Sequence, residues 1–191
     1  VWSRWFGPNL HLHYPAEVWP HLPSVASAHT KCVHGHFYHP QAAVGVPDYY
    51  PAAEQMVTFL RHPLDMVISF YKYGKQRGFG VSLSLETYLN AVCLKKNLLE
   101  YSYLPFNPRE NSSIEQMEEK FIFVGIFERY QESVDILARL IGRDRVQLPW
   151  ENVGLEPHES CSEQSLKIFQ DAFACELSFY NYWNGLLNSY K

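Results

Sequence analysis

Two short stretches carry residues whose types and spacing could do chemistry. The run Met56–Leu60 leads into Arg61, and in the segment from Thr58 to Tyr71 Pro63 follows and Ser69 lies further on. An arginine at the C-terminal end of a buried strand stands where open α/β sheets bind ligands. The helix start just after it draws anions through its unpaired N–H groups and its dipole. Arg61 and Ser69 could therefore grip one phosphate from two directions, the guanidinium through a charge-assisted fork. The plainer alternative is that Arg61 caps a sheet edge and Ser69 is a solvated helix position. The second stretch is Val33-His34-Gly35-His36-Phe37. On a strand His34 and His36 share a face, because side chains alternate with period two, so both can reach one cleft. With His39, or with the His11/His13 pair, they could instead supply imidazoles to zinc. His-x-His is a weak metal signal, and no acidic residue lies immediately beside either pair.

The elements that must position these residues read as follows. Met56–Leu60 fits a strand buried on both faces, as in a parallel sheet. Pro63 suits a first helical turn, and Leu64, Val67, Ile68 and Tyr71 form a helical stripe, with Asp65, Ser69 and Lys72 on another face. That helix should stop near Gly74–Gly78. Lys31–Phe37 reads as a short strand, whereas residues 1 to about 30 and 39–50 read as loop with short pieces of structure. Leu85–Tyr103 reads as helix, and Phe121–Phe127 as the second buried strand. A helix follows with Val134, Ile136, Leu137 and Leu140 inward, ended by Gly142. Arg145–Leu148 could be a short edge strand. Ser160-Cys161-Ser162-Glu163 fits a capping box opening a long C-terminal helix with Leu166, Phe169, Phe173 and Leu177 inward. The pattern is α/β: one domain over residues 1–191, a mostly parallel sheet flanked by helices.

Composition bounds the function classes. The chain has 191 residues, 47% hydrophobic and 19% charged, a globular balance. A net charge of −4 supplies no global field for nucleic acid or an acidic membrane, so a polyanionic ligand needs a local basic site. No apolar run approaches a membrane span. The four cysteines, Cys32, Cys93, Cys161 and Cys175, form no Cys-x-x-Cys motif and read as reduced. Trp2, Trp5 and Trp19 could line an acceptor groove, although packing is the ordinary use of tryptophan. Glu128 and Arg129 end the second strand at the same sheet edge as Arg61, where a strand-end anchor is at least as natural as a ligand contact.

Arg61-His62-Pro63, five residues, then Ser69 and an aromatic resembles the 3′-phosphate-binding motif of sulfotransferases, above all the carbohydrate-modifying branch. His34-Gly35-His36 is similar to the His-Gly-His segment of heparan sulfate 2-O-sulfotransferase-like proteins. Phe123–Tyr130, followed by Gln131-Glu132-Ser133, resembles that superfamily's strand–helix junction, and Leu166–Tyr180 its C-terminal helix. These segments come in the family's order over residues 30 to 185. The resemblance implies a P-loop-like sulfotransferase fold and transfer of a sulfuryl group from 3′-phosphoadenosine 5′-phosphosulfate (PAPS) to a hydroxyl of a carbohydrate or similar acceptor, leaving 3′,5′-adenosine bisphosphate. It implies that Arg61 and Ser69 bind the donor's 3′-phosphate, that His36 is the general base and that His34 is its neighbour. An imidazole with an ordinary pKa near 6.5 suits proton removal at neutral pH. Alternatives are a non-catalytic nucleotide- or glycan-binding module on the same fold, or a metal-dependent hydrolase built on the histidines. Relatives of this type work in the Golgi lumen of animals and others are bacterial, so the resemblance leaves Golgi lumen or cytoplasm open according to source.

The sequence departs from the family in one respect. Sulfotransferases carry a Lys- and Gly-containing loop, of the form Pro-Lys-x-Gly-x-Thr, that cradles the 5′-phosphosulfate after the first strand. Gly7-Pro8, Gly45-Val46-Pro47 and Gly74-Lys75 do not fit it. The chain opens Val1-Trp2-Ser3, so truncation ahead of the matching region is the expected reason for the missing strand–loop–helix unit. Without that loop's charge at the leaving group, these 191 residues are expected to be a poor catalyst; sulfate transfer from PAPS by this chain alone at a rate ordinary for enzymes would overturn the expectation.

Overall fold

The structure is a computed structural model that describes residues 1–14, 26–35, 37, 46–78, 83–95, 104, 109–149 and 160–190, with backbone only at 47 and 48. Its central unit begins with β3 (Met56–Leu60), the strand expected from that run. Two residues later Pro63 occupies the first turn of α3 (Pro63–Gln76), where a missing N–H costs nothing. The chain crosses back through α4 (Leu85–Lys95) and α5 (Ser113–Lys120) to β4 (Phe121–Ile126), which lies parallel to β3. The register pairs Leu60 with Ile126, so both strands leave the ladder side by side. After one 3-10 turn, Phe127–Arg129, β4 enters α6 (Tyr130–Leu140).

The Ser133 hydroxyl closes the end of β4: it accepts from the Ile126 N–H (2.9 Å) and donates to the Ile126 carbonyl (3.1 Å). A fully buried serine thus satisfies both backbone groups of a fully buried strand residue, which would otherwise be costly to leave unmet. Gly142, at φ 63, ends α6 in a Schellman arrangement: Arg143 N–H donates to Ala138 carbonyl (2.7 Å) and Gly142 N–H to Arg139 carbonyl (3.3 Å). Val134, Ile136 and Leu137 are buried as expected, together with Met66, Val67, Phe123, Phe169, Phe173 and Trp183.

The N-terminal region, expected as loop with short pieces of structure, carries a strand that the sequence reading did not place. It folds as α1 (Trp2–Phe6), a 3-10 turn and β1 (Leu10–His13), and β1 pairs in parallel with β2 (Cys32–Gly35). The strand signal was the alternation Leu-His-Leu-His, obscured because histidine ranks neither as apolar nor as plainly polar. α1 ties this ladder to the main core: Trp5 Nε1 donates to Asp144 carbonyl at 2.9 Å, and the Arg143 guanidinium lies 4.9 Å from the Phe6 ring centre. A short helix, α2 (Val46–Tyr49), falls in the second segment read as loop.

Mixed α/β architecture with parallel pairing is therefore observed, as two separate two-stranded ladders among the described residues rather than one wide sheet. With β4 as its described ladder partner, β3 is only half-buried except at Leu60, not buried on both faces. Residues 145–148 form no strand; the Gln131 side chain takes the place of a neighbour, donating to Val146 carbonyl (3.0 Å) and accepting from Leu148 N–H (2.9 Å). Leu140 is exposed, since α6 ends there. α3 runs through Gly74, which is buried, to Gln76, and Gly78 at φ 68 follows. α4 is described to Lys95; the rest of the expected Leu85–Tyr103 helix lies outside the described residues. The N-cap of the first C-terminal helix is Ser162, not Ser160: its hydroxyl accepts from Ser165 N–H (3.2 Å) and also donates to Glu86, so the helix begins two residues later than the capping box predicts. The expected single helix is divided at Phe173 (φ −120°) into α7 (Glu163–Ala172) and α8 (Ala174–Leu186), letting α7 pack on α4 while α8 packs on β4. All four cysteines are free thiols.

Gly35 faces His13 across the first ladder, and a Cβ there would lie 1.7 Å from the His13 carbonyl oxygen, a backbone atom that cannot swing away. At Gly125 the obstacle is the edge of the Phe59 ring, at 2.4 Å. Gly35→Ala is expected to lower stability by about 3 kcal/mol, the upper range for overpacking, and Gly125→Ala by about 1 kcal/mol, because a side chain can re-settle. Urea unfolding of both variants measures the order.

Candidate functional site

The exits of β3 and β4 build the first half of the site. Arg61 is the residue directly after β3, half-buried, with its guanidinium 4.8 Å from the centre of the Phe127 ring at the exit of β4. This is cation–π distance. Ser69 sits two turns into α3 and is half-buried; its rise from Pro63 is about 9 Å at 1.5 Å per residue. The two residues expected to share a phosphate thus stand on one strand–turn–helix unit.

Glu128 fixes the geometry of the turn between them. One carboxylate oxygen accepts from the His62 backbone N–H (2.8 Å) and the other from the Tyr180 hydroxyl of α8 (2.8 Å). The His62 ring meets the Tyr180 ring edge-on at 5.2 Å. Burial, then the hydrogen bond and negative charge of Glu128, and then Asp65 push the Tyr180 phenol above its ordinary range, with Arg129 acting the other way. The helix start consequently has its first amide engaged by a carboxylate, and Pro63 offers none. Leu64 and Asp65 remain as the amides that intrahelical bonding does not use.

Arg129 is a brace, not a ligand arm. It forms a two-pronged pair with Glu132 (2.8 and 2.7 Å) and bonds Asn184 carbonyl (3.0 Å), Asn184 Oδ1 (3.2 Å) and Asn188 Oδ1 (2.8 Å), so it fastens the start of α6 to the end of α8. These contacts favour the strand-end-anchor reading for both Glu128 and Arg129.

The second half of the expected site stands on the other ladder. His34, on β2, is half-buried and its ring stacks on Trp2 (5.5 Å, 28°), with the edge of Tyr14 at 6.2 Å. His36 and His39 lie outside the described residues. His34 is therefore seen packed among aromatic rings, with Arg61 and Ser69 together on a different ladder. Trp2 and Trp5 serve α1 packing; Trp19 lies outside the described residues.

The His11/His13 pair, read in the sequence as a possible supplier of imidazoles to zinc, stands in an aromatic cluster on the opposite face of β1 and β2 from His34. The His13 Nδ1 is 2.8 Å from the Tyr50 hydroxyl, and its ring is 4.6 Å from Tyr49, 5.3 Å from Phe37 and 6.5 Å from His11. His11 is 5% exposed, and its Nε2 is buried without a hydrogen-bond partner. Burial first, and then His11, lower the affinity of His13 for a proton. Reading Leu10–His13 as a strand would have placed both imidazoles on one face. No group of three or more His, Cys, Asp or Glu able to hold a metal ion occurs among the described residues, and no described helix is long and apolar enough to cross a membrane.

No protein-family model, curated protein or solved structure matches the chain.

Because the Tyr180–Glu128 bond joins α8 to the β3–α3 turn, Tyr180→Phe is expected to cost about 1 kcal/mol, the net worth of one such bond. Absorbance titration should also lose a tyrosine that ionises above the ordinary range. An unchanged melting curve and an unchanged titration would show that the bond contributes nothing.

Proposed function

We propose that the chain is part of a PAPS-dependent sulfotransferase of the carbohydrate-modifying type, with a P-loop-like fold. The observation that carries this reading is the position of Arg61. It stands at the C-terminal tip of a parallel strand, directly ahead of α3, with Ser69 on that same helix. That is the location at which open parallel sheets take phosphorylated ligands. Phe127 supports it: the ring is 48% exposed, stacks on Tyr130 at 5.6 Å and carries the Arg61 guanidinium against it, which offers a flat surface for a purine beside a cation for its phosphate.

In this reading Arg61 and Ser69 hold the 3′-phosphate of the donor, and His36, with His34 as its neighbour, takes the proton of the acceptor hydroxyl. The acceptor oxygen attacks sulfur in line with the departing phosphate; the S–O bond to adenosine bisphosphate breaks as the new one forms. No covalent enzyme intermediate is required, and the rate comes from positioning and from neutralising charge on the leaving group. Glu128 and Asp65 lower the positive potential at the α3 start, so the Arg61 charge is the decisive attraction for the anion.

A donor-binding module without turnover is the second reading, favoured by the lack of a Pro-Lys-x-Gly-x-Thr loop in residues 1–191. Calorimetry with 3′,5′-adenosine bisphosphate tests what the two share. Arg61→Ala should weaken binding at least tenfold, about 1.4 kcal/mol, and no binding by the unaltered chain would remove both. His36→Ala, in the longest chain containing these residues, then separates them. A loss of about a hundredfold or more in turnover with bisphosphate affinity intact identifies a general base.

A further inference from the structure

The cluster on the far face of the first ladder is built from titratable groups, and among the described residues no carboxylate faces it. His11 and His13 both point to the side of β1 on which Tyr49, Tyr50 and Phe37 pack, as their ring contacts record. Beside His13, His11 is buried and its Nε2 has no hydrogen-bond partner among the described residues, so a positive charge arriving on His13 meets a wall that offers little to solvate it. His13 holds α2 through its bond to the Tyr50 hydroxyl, and its backbone carbonyl closes against Gly35 of β2. One residue therefore touches both elements that flank β1.

We infer that the His11–His13–Tyr50 cluster is an acid-sensitive latch, which holds α2 and the end of β2 on β1 while the His13 imidazole is neutral and releases them when it takes up a proton. The groups facing it are few. On β1 itself there is His11 beside His13; from the end of α2 and the residue after it come the phenols Tyr49 and Tyr50. From β2 the register places Val33 and Gly35 on this face, while Cys32 and His34 lie on the other. From α1, which also contacts both strands, the one charged residue is Arg4, and it is exposed. None of these described side chains is a carboxylate that could stabilise a histidine cation.

The sign follows from the direction of the shift. Folding lowers the proton affinity of His13 below the ordinary 6.5, so the folded ladder prefers the neutral ring. That contribution is complete above pH 6.5 and fades as pH falls through the folded-state value. The Tyr50 phenol, shifted upward by burial and by Tyr49, stays protonated throughout this range. The latch stands independently of any sulfuryl transfer, since it concerns the face opposite His34.

An NMR titration of the chain from pH 7.5 to 4.5 tests it, with histidine ring protons and backbone amides followed together. The expected result is that His13 takes up its proton below pH 6.5, and that amides of residues 10–13, 32–35 and 46–50 change over that interval while those of 56–60 and 121–140 hold. His13→Gln, which cannot titrate, should shift the amide change to lower pH by at least tenfold in proton concentration. If that variant does not fold, the wild-type titration decides by itself. His13 titrating at 6.5 or above, a transition shared by every amide, or an amide change unaltered in the variant would each overturn the latch.

Discussion

The Glu128 carboxylate is the tie on which the arrangement around Arg61 depends. It accepts from a backbone amide at the turn after β3 and from a buried phenol on α8, while its own backbone leads out of β4. Three elements distant in sequence are brought to one point by a single charged group. Both of its bonds are charge-assisted, which makes them stronger than neutral ones and fixes the entry angle of α3. That angle decides where Arg61 and Ser69 stand. The same carboxylate occupies an amide that an anionic ligand could have used, so rigidity of the turn is obtained at some cost in positive potential.

Aromatic rings and glycines divide the remaining work. Phe59 lies over its ladder partner Gly125, and the edge of Phe123 crowds the same spot. A ring on one strand against a bare backbone on the next lets the two strands approach while filling the space above them. In the first ladder the bare residue is Gly35, and what fills the space is the His13 backbone. Among the described residues each ladder has two strands, so a single well-filled contact accounts for a larger share of its cohesion than it would in a wide sheet. Ser133 contributes similarly at the end of β4, where a hydroxyl replaces a third strand's hydrogen bonds.

What could be read from the sequence was the part written in apolar residues. Met56–Leu60 and Phe121–Ile126 announce themselves as strands because nothing else explains continuous apolar runs of that length, and Gly142 announces a helix end because few residues adopt a positive φ. The Arg61–Ser69 unit was legible for the same reason, being a strand end followed by a proline-started helix. The N-terminal ladder was hidden because its alternation is Leu against His, and imidazole burial depends on partners that lie far along the chain, such as Tyr50. The shift from Ser160 to Ser162 at the α7 cap was equally invisible: both serines suit the position, and the choice was made by Glu86 of α4, which receives the Ser162 and Ser165 hydroxyls. The break at Phe173 is likewise tertiary, since no proline or glycine marks it.

Gln131 has a consequence for strand pairing. Extended backbone that carries unanswered carbonyl and amide groups is a template on which another strand can add. Along residues 146–148 the edge that faces α6 is answered within the molecule: the Val146 carbonyl and the Leu148 N–H are both bonded to one side-chain amide, itself steadied by Asp135 at 2.8 Å. An amide side chain has a donor and an acceptor and then stops, so it satisfies that edge without extending it.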